Sequence, residues 1–96
     1  MDHTRILERH RDAMLAMAQN RKATNLRLFG SVAHGKANAV SDFDILVDAL
    51  PGATLFDLGG LQADLEALLG APVDLLTPQD IAPNFRAEVL AEARPI

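Results

Sequence analysis

Over residues 42–49 the chain shows a period of two, with Asp42 and Asp44 on one side and Phe43, Ile45 and Val47 on the other. Period two is the signature of a half-buried strand. Residues two apart on a strand point the same way with Cα atoms roughly 6.5 Å apart, so the two carboxylates share a face and the apolar trio meets the core. Residues 25–29 alternate too, Leu26 and Leu28 against Arg27 and Phe29. Residues 4–21 change to helical spacing, with Ile6, His10, Ala13, Met14, Met17 and Ala18 on one stripe and Asp2 or Thr4 as cap. After the turn signal Leu50-Pro51-Gly52, Thr54 is the predicted N-cap of a second helix ending at Leu69. Its buried stripe is Leu55, Leu58, Leu61, Leu65, Leu68 and Leu69, and Gly70 closes it. Gly59-Gly60 each cost about 1 kcal/mol against Ala in a helix, which predicts a break or a close packing contact there. Residues 72–76 read as a third strand whose leading Pro72 suits an edge or a strand start. Pro83 opens a last helix buried through Phe85, Val89 and Leu90, and Pro95 ends it.

These elements make one α/β domain spanning residues 1–96, enough chain for a single core and too little for two. Aromatic residues are only 4% of the chain, with no Trp or Tyr, so the core is expected to be built mainly from Leu, Ile, Val and Ala. The absence of cysteine removes disulfides, thiolate metal sites and cysteine nucleophiles. A net charge of −4 and a pI near 5.1 argue against a broad nucleic-acid contact surface, which needs clustered Lys and Arg. A protein or a small molecule is the expected acceptor of any chemistry. No apolar run reaches about 18 residues and residues 1–5 lack a signal-peptide pattern, so the expectation is a cytoplasmic protein with no membrane partner.

The candidate chemistry sits on the first two strands. Two carboxylates on one strand face repel unless a cation lies between them, and hard oxygen ligands at this spacing suit Mg²⁺, which takes one or two carboxylates plus phosphate oxygens and water. Just past the first strand, Gly30 lets a ligand approach the backbone and Ser31 offers a hydroxyl and an N–H. A short helix from Ser31 to His34 or Gly35 would present its N-terminus to phosphate, and residues 36–41 return the chain to the sheet. Together the pieces spell metal plus nucleoside triphosphate. Asp74, amid the apolar Val73, Leu75 and Leu76, leaves two readings open: a buried carboxylate paired with an arginine, or part of the site. His3, His10 and His34 show no metal-ligand spacing and are read as surface or packing residues, and Asp48 as a solvated or turn residue.

Gly30-Ser31, ten intervening residues and Asp42-x-Asp44 resemble the signature of the nucleotidyltransferase superfamily that includes DNA polymerase β and the kanamycin nucleotidyltransferases. The chain's length resembles the stand-alone branch, the minimal nucleotidyltransferases, and the resemblance extends through residues 54–78 to the closing helix. It implies a small mixed sheet flanked by helices. It also implies that Asp74 is a third carboxylate, on a neighbouring strand, binding the metal nearest the acceptor and helping to activate the attacking hydroxyl. Asp42 and Asp44 would bridge two Mg²⁺ ions about 3.5–4 Å apart, and Gly30-Ser31 would hold the β- and γ-phosphates. Small members of the family often carry Arg-Gly where this chain has His34-Gly35, a departure for which Lys36 or Arg27 is the candidate substitute.

The same resemblance implies a partner and a role. Larger relatives carry a further domain for acceptor and nucleobase, so the acceptor here is expected in trans. The implied partner is a HEPN-family ribonuclease toxin, the acceptor a tyrosine hydroxyl on it and the donor ATP, which makes the chain an antitoxin acting by adenylylation. Two rival classes remain at this stage. One is an antitoxin that neutralises its partner by binding alone, and the other a nucleotidyltransferase for a small molecule such as an aminoglycoside.

Overall fold

The computed structural model describes residues 3–29 and 43–96. The expected Gly30-Ser31 turn, the short helix after it, residues 36–41 and Asp42 lie outside the described residues.

Helix α1 (His3–Asn20) turns through Arg21 and Lys22 into strand β1 (Ala23–Leu28). Lys22 takes a left-handed conformation with φ 57° as its N–H donates to the Gln19 carbonyl, which ends the helix. Strand β2 (Phe43–Ala49) runs antiparallel to β1. Their register shifts between Thr24 and Arg27, where Asn25 also adopts φ 57°. Asn tolerates that region better than most residues, and a bulge there starts the strand at Ala23, ahead of the alternation visible from residue 25. Helix α2 (Leu55–Leu69) then leads to strand β3 (Val73–Leu76), which lies parallel to β2. A 3-10 turn (Pro78–Asp80), helix α3 (Pro83–Glu92) and strand β4 (Arg94–Pro95) complete the chain. The mixed sheet has the order β3-β2-β1-β4.

The caps of α2 are those the sequence announces. Thr54 accepts from the Asp57 N–H at 3.2 Å while the Asp57 carboxylate accepts from the Thr54 N–H at 2.9 Å. That backbone hydrogen bond from Thr54 is the main reason the Asp57 carboxyl sits below its ordinary pKa. At the other end Gly70 takes φ 67° and donates to the Glu66 carbonyl.

The core has two parts. On one face of the sheet α1 and α2 cover Leu26, Phe43, Ile45, Val47 and Val73, with Leu7, Met14, Ala18, Leu61, Leu65 and Leu69 supplied by the helices. On the other face Phe29 and Leu46 pack with Ile81 and Val89 from the turn and α3. Among the described residues no helix is long and apolar enough to cross a membrane.

Several helix-face expectations need correction, each for the same geometric reason. At 3.6 residues per turn, neighbouring positions diverge by about 100°. Ala13 is therefore exposed beside fully buried Met14, and the stripe runs through Leu7 instead. Leu55, expected in the core, is 87% exposed: it is the first residue of the helix and lies about 80° round from the centre of the Leu61, Leu65, Leu69 stripe. Phe56 beside it is 90% exposed, and Leu90 sits off the Val89 face. Pro95 does not end a helix; α3 stops at Glu92 and Pro95 lies in β4.

The Gly59-Gly60 pair produces no break in α2. A Cβ at Gly60 would lie 2.5 Å from Arg21 Nη1, so this glycine admits the guanidinium that pairs with Asp64 at 3.2 Å. Nothing crowds Gly59. Gly59→Ala is accordingly expected to stabilise the fold by about 0.5–1 kcal/mol in urea denaturation. Gly60→Ala should gain less, because the half-exposed ion pair, worth up to about 1 kcal/mol, must move aside.

Candidate active site

Asp44 and Asp74 stand directly opposite each other across the parallel pair β2 and β3. Strand neighbours lie about 4.8 Å apart, and residues in register project to the same face. The flanking pairs, Phe43 with Val73 and Ile45 with Leu75, belong to the core under α1 and α2. Alternation therefore turns both carboxylates to the opposite face. Asp44 is buried and Asp74 half-buried.

The backbone ties this point to its surroundings. The Phe29 N–H donates to the Asp44 carbonyl at 3.0 Å, so the last described residue before Gly30 runs alongside Asp44. The Phe43 N–H donates to the Pro72 carbonyl at 3.3 Å, which brings the start of β3 level with the start of β2. The expected open face beyond the carboxylates is in fact closed. Leu46, fully buried on the same side as Asp44, lies in the second core with Phe29, Ile81 and Val89. Leu46 thereby separates Asp44 from Asp48 along this face of β2.

Arg27, a candidate substitute for the family arginine, shares this face opposite Leu46 but serves a different end. Its Nη2 pairs with Asp48 Oδ1 at 2.6 Å and its Nε donates to the Asn25 carbonyl at 3.0 Å. Asp48 also accepts from Asn25 Nδ2 at 2.9 Å, so this carboxylate fastens the bulge and is more than the solvated residue expected. Arg27 is thus directed toward Asp48, four positions along β2 from Asp44.

Among the described residues no three His, Cys, Asp or Glu side chains converge as a metal site. The described pair, Asp44 and Asp74, fits a hard divalent cation by donor chemistry: carboxylates in register on adjacent strands and on one face, the kind of oxygen donors to which phosphate oxygens and water would be added. Asp42, Gly30 and Ser31, the other expected site residues, lie outside the described residues, as do His34 and Lys36. What the sequence reading missed is the support of β3. The Val73 N–H donates to Glu66 Oε2 at 3.0 Å and the Leu75 N–H to Gln62 Oε1 at 3.4 Å. No periodicity announces such contacts, since Gln62 and Glu66 look like ordinary polar positions of an amphipathic helix.

With this geometry in view, comparison with known proteins is informative. A protein of Methanocaldococcus jannaschii named as a protein adenylyltransferase is 42% identical over 66 residues, 69% of this chain and 71% of the relative. The protein adenylyltransferase MntA of Thermococcus cleftensis is 40% identical over 65 residues, 68% of this chain and 66% of its own length. The solved structure of a minimal nucleotidyltransferase superposes with a TM-score of 0.80 at 42% identity, covering 100% of this chain and 97% of that one. A toxin–antitoxin complex containing AMP-PNP shares the fold at a TM-score of 0.62 and 22% identity, covering 88% of this chain and 69% of that one. The family model described as "Nucleotidyltransferase domain" matches residues 7–96, which takes in both described carboxylates and both segments flanking Gly30 to Asp42. By that match and these relatives, the chain belongs to the nucleotidyltransferase family and is a nucleotidyltransferase.

Proposed function

We propose that this nucleotidyltransferase is a Mg²⁺-dependent protein adenylyltransferase acting as an antitoxin, which transfers AMP from ATP to a tyrosine hydroxyl of a HEPN-family ribonuclease toxin. The observation that carries the reading is the register of β2 and β3, which sets Asp44 opposite Asp74 beside the strand end that precedes Gly30. In the reaction the tyrosine oxygen forms a bond to the α-phosphorus of ATP. The bond from that phosphorus to the α,β-bridging oxygen breaks, pyrophosphate departs and the hydroxyl proton is released. Magnesium, two ions by the family resemblance, would supply charge neutralisation on the phosphate oxygens. Asp42, Asp44 and Asp74 would hold it. Asp74, on the edge strand, faces the acceptor side and orients the attacking hydroxyl. Gly30 and Ser31 bind the β- and γ-phosphates through backbone N–H groups and the hydroxyl. The second core buries Leu46, the next residue after Asp44 on that face.

Two kinds of relative support the acceptor and partner. The sequence relatives are named protein adenylyltransferases, and toxin–antitoxin complexes share the fold. The test is intact mass of a co-expressed HEPN partner. Increments of one AMP per modified tyrosine, lost when that tyrosine becomes Phe, are expected. An unmodified partner in the presence of ATP and Mg²⁺ would overturn the reading.

A further inference from the structure

Strand β3 is four residues long and lies at the edge of the sheet, where nothing in β2 restrains its outward side. Its inward groups pair with β2, as the Pro72 carbonyl does with the Phe43 N–H. The outward N–H groups of Val73 and Leu75, one on either side of Asp74, instead donate to Glu66 Oε2 at 3.0 Å and Gln62 Oε1 at 3.4 Å. Gln62 and Glu66 are four apart on α2, the spacing that stacks two side chains on one helix face. Both bonds are part-buried, which limits competition from water, and the one to the carboxylate is charge-assisted as well as shorter.

The consequence concerns Asp74. A slip of one residue along a strand moves every side chain to the opposite face, and a short edge strand held from one side frays readily. Clamping the amides on both sides of Asp74 prevents either movement. We infer that Glu66, assisted by Gln62, is a positioning residue that holds Asp74 opposite Asp44 in the geometry a divalent cation requires. This rests on the proposed role of Asp74 as a metal-binding carboxylate. The plainer alternative is that the two side chains only cover the sheet edge against strand addition, a common need of edge strands.

Mn²⁺ binding to the full chain, followed by paramagnetic broadening of the backbone amide signals near Asp44 and Asp74, separates these without recourse to activity. In Glu66→Ala, amide exchange at Val73 and Leu75 should accelerate about tenfold and Mn²⁺ affinity fall roughly tenfold, as expected for loss of one charge-assisted hydrogen bond. Exchange in β1 and α1 should stay unchanged. Glu66→Gln, which keeps a carbonyl acceptor, should restore most of both effects, and Gln62→Ala should show the same changes more weakly. If wild type binds Mn²⁺, Asp44→Asn abolishes that binding and Glu66→Ala leaves it intact, the positioning role is wrong while the site reading stands. If wild type shows no broadening at Asp44 and Asp74, the metal site itself is wrong and the positioning role falls with it.

Discussion

Asp44→Asn is expected to reduce AMP transfer at least about 100-fold while leaving a folded protein, since loss of a metal-binding carboxylate removes several kcal/mol of transition-state charge stabilisation. The reasoning starts from burial. Asp44 is 9% exposed on a strand whose neighbours Phe43 and Ile45 are wholly buried, so asparagine fits the same space with the same backbone pairing. What changes is charge. A neutral amide opposite Asp74 binds a cation poorly, while like charges directly opposite on adjacent strands are destabilising. Transfer is read with labelled ATP, Mg²⁺ and partner, alongside neutralisation of the partner's toxicity. If the variant neutralises as well as wild type and neither transfers label, the protein acts by binding alone. Undiminished transfer by Asp44→Asn would remove the carboxylate from the mechanism.

Phe43→Ala should produce the largest loss of stability, about 3–5 kcal/mol by chemical denaturation. Phe43 is fully buried and the bulkiest such side chain, pairs with Val73 on β3, and lies one position before Asp44 on the opposite face. Its removal leaves a cavity where both helices meet the sheet, a substantial part of the roughly 5–15 kcal/mol that keeps a domain folded. A loss under about 1 kcal/mol would mean that α1 and α2 collapse onto the vacated space. In a variant that remains folded, transfer should fall too, because the same strand pairing that seats Phe43 sets Asp44 opposite Asp74.

Legibility along the chain followed the range of the interactions concerned. Helix α2 is readable to the residue, because Thr54 and Gly70 act on backbone groups within one turn of themselves. Strand β4 is not, since two residues cannot display a period and Pro95 reads equally well as a helix stop. The apolar stripe legible on α1 includes exposed Ala13 beside buried Met14, and that on α2 includes exposed Leu55, because composition marks apolar side chains without saying where on the helix the sheet lies. Of the break or close packing expected at Gly59-Gly60, the packing is found, at Gly60 alone, and its partner Arg21 comes from a segment distant in the chain.

The candidate site divides in the same way. The alternation around Asp44 follows from the chain alone, because side-chain period on a strand is a property of covalent geometry. So does membership of a family marked by Gly30-Ser31 and Asp42-x-Asp44. That Asp74 comes to rest opposite Asp44, that α3 seals the face beside them and that Glu66 and Gln62 brace β3 were decided by the tertiary structure. Strand order and register are set by which apolar faces can be buried together, and that is a property of the whole packed chain, absent from any single segment.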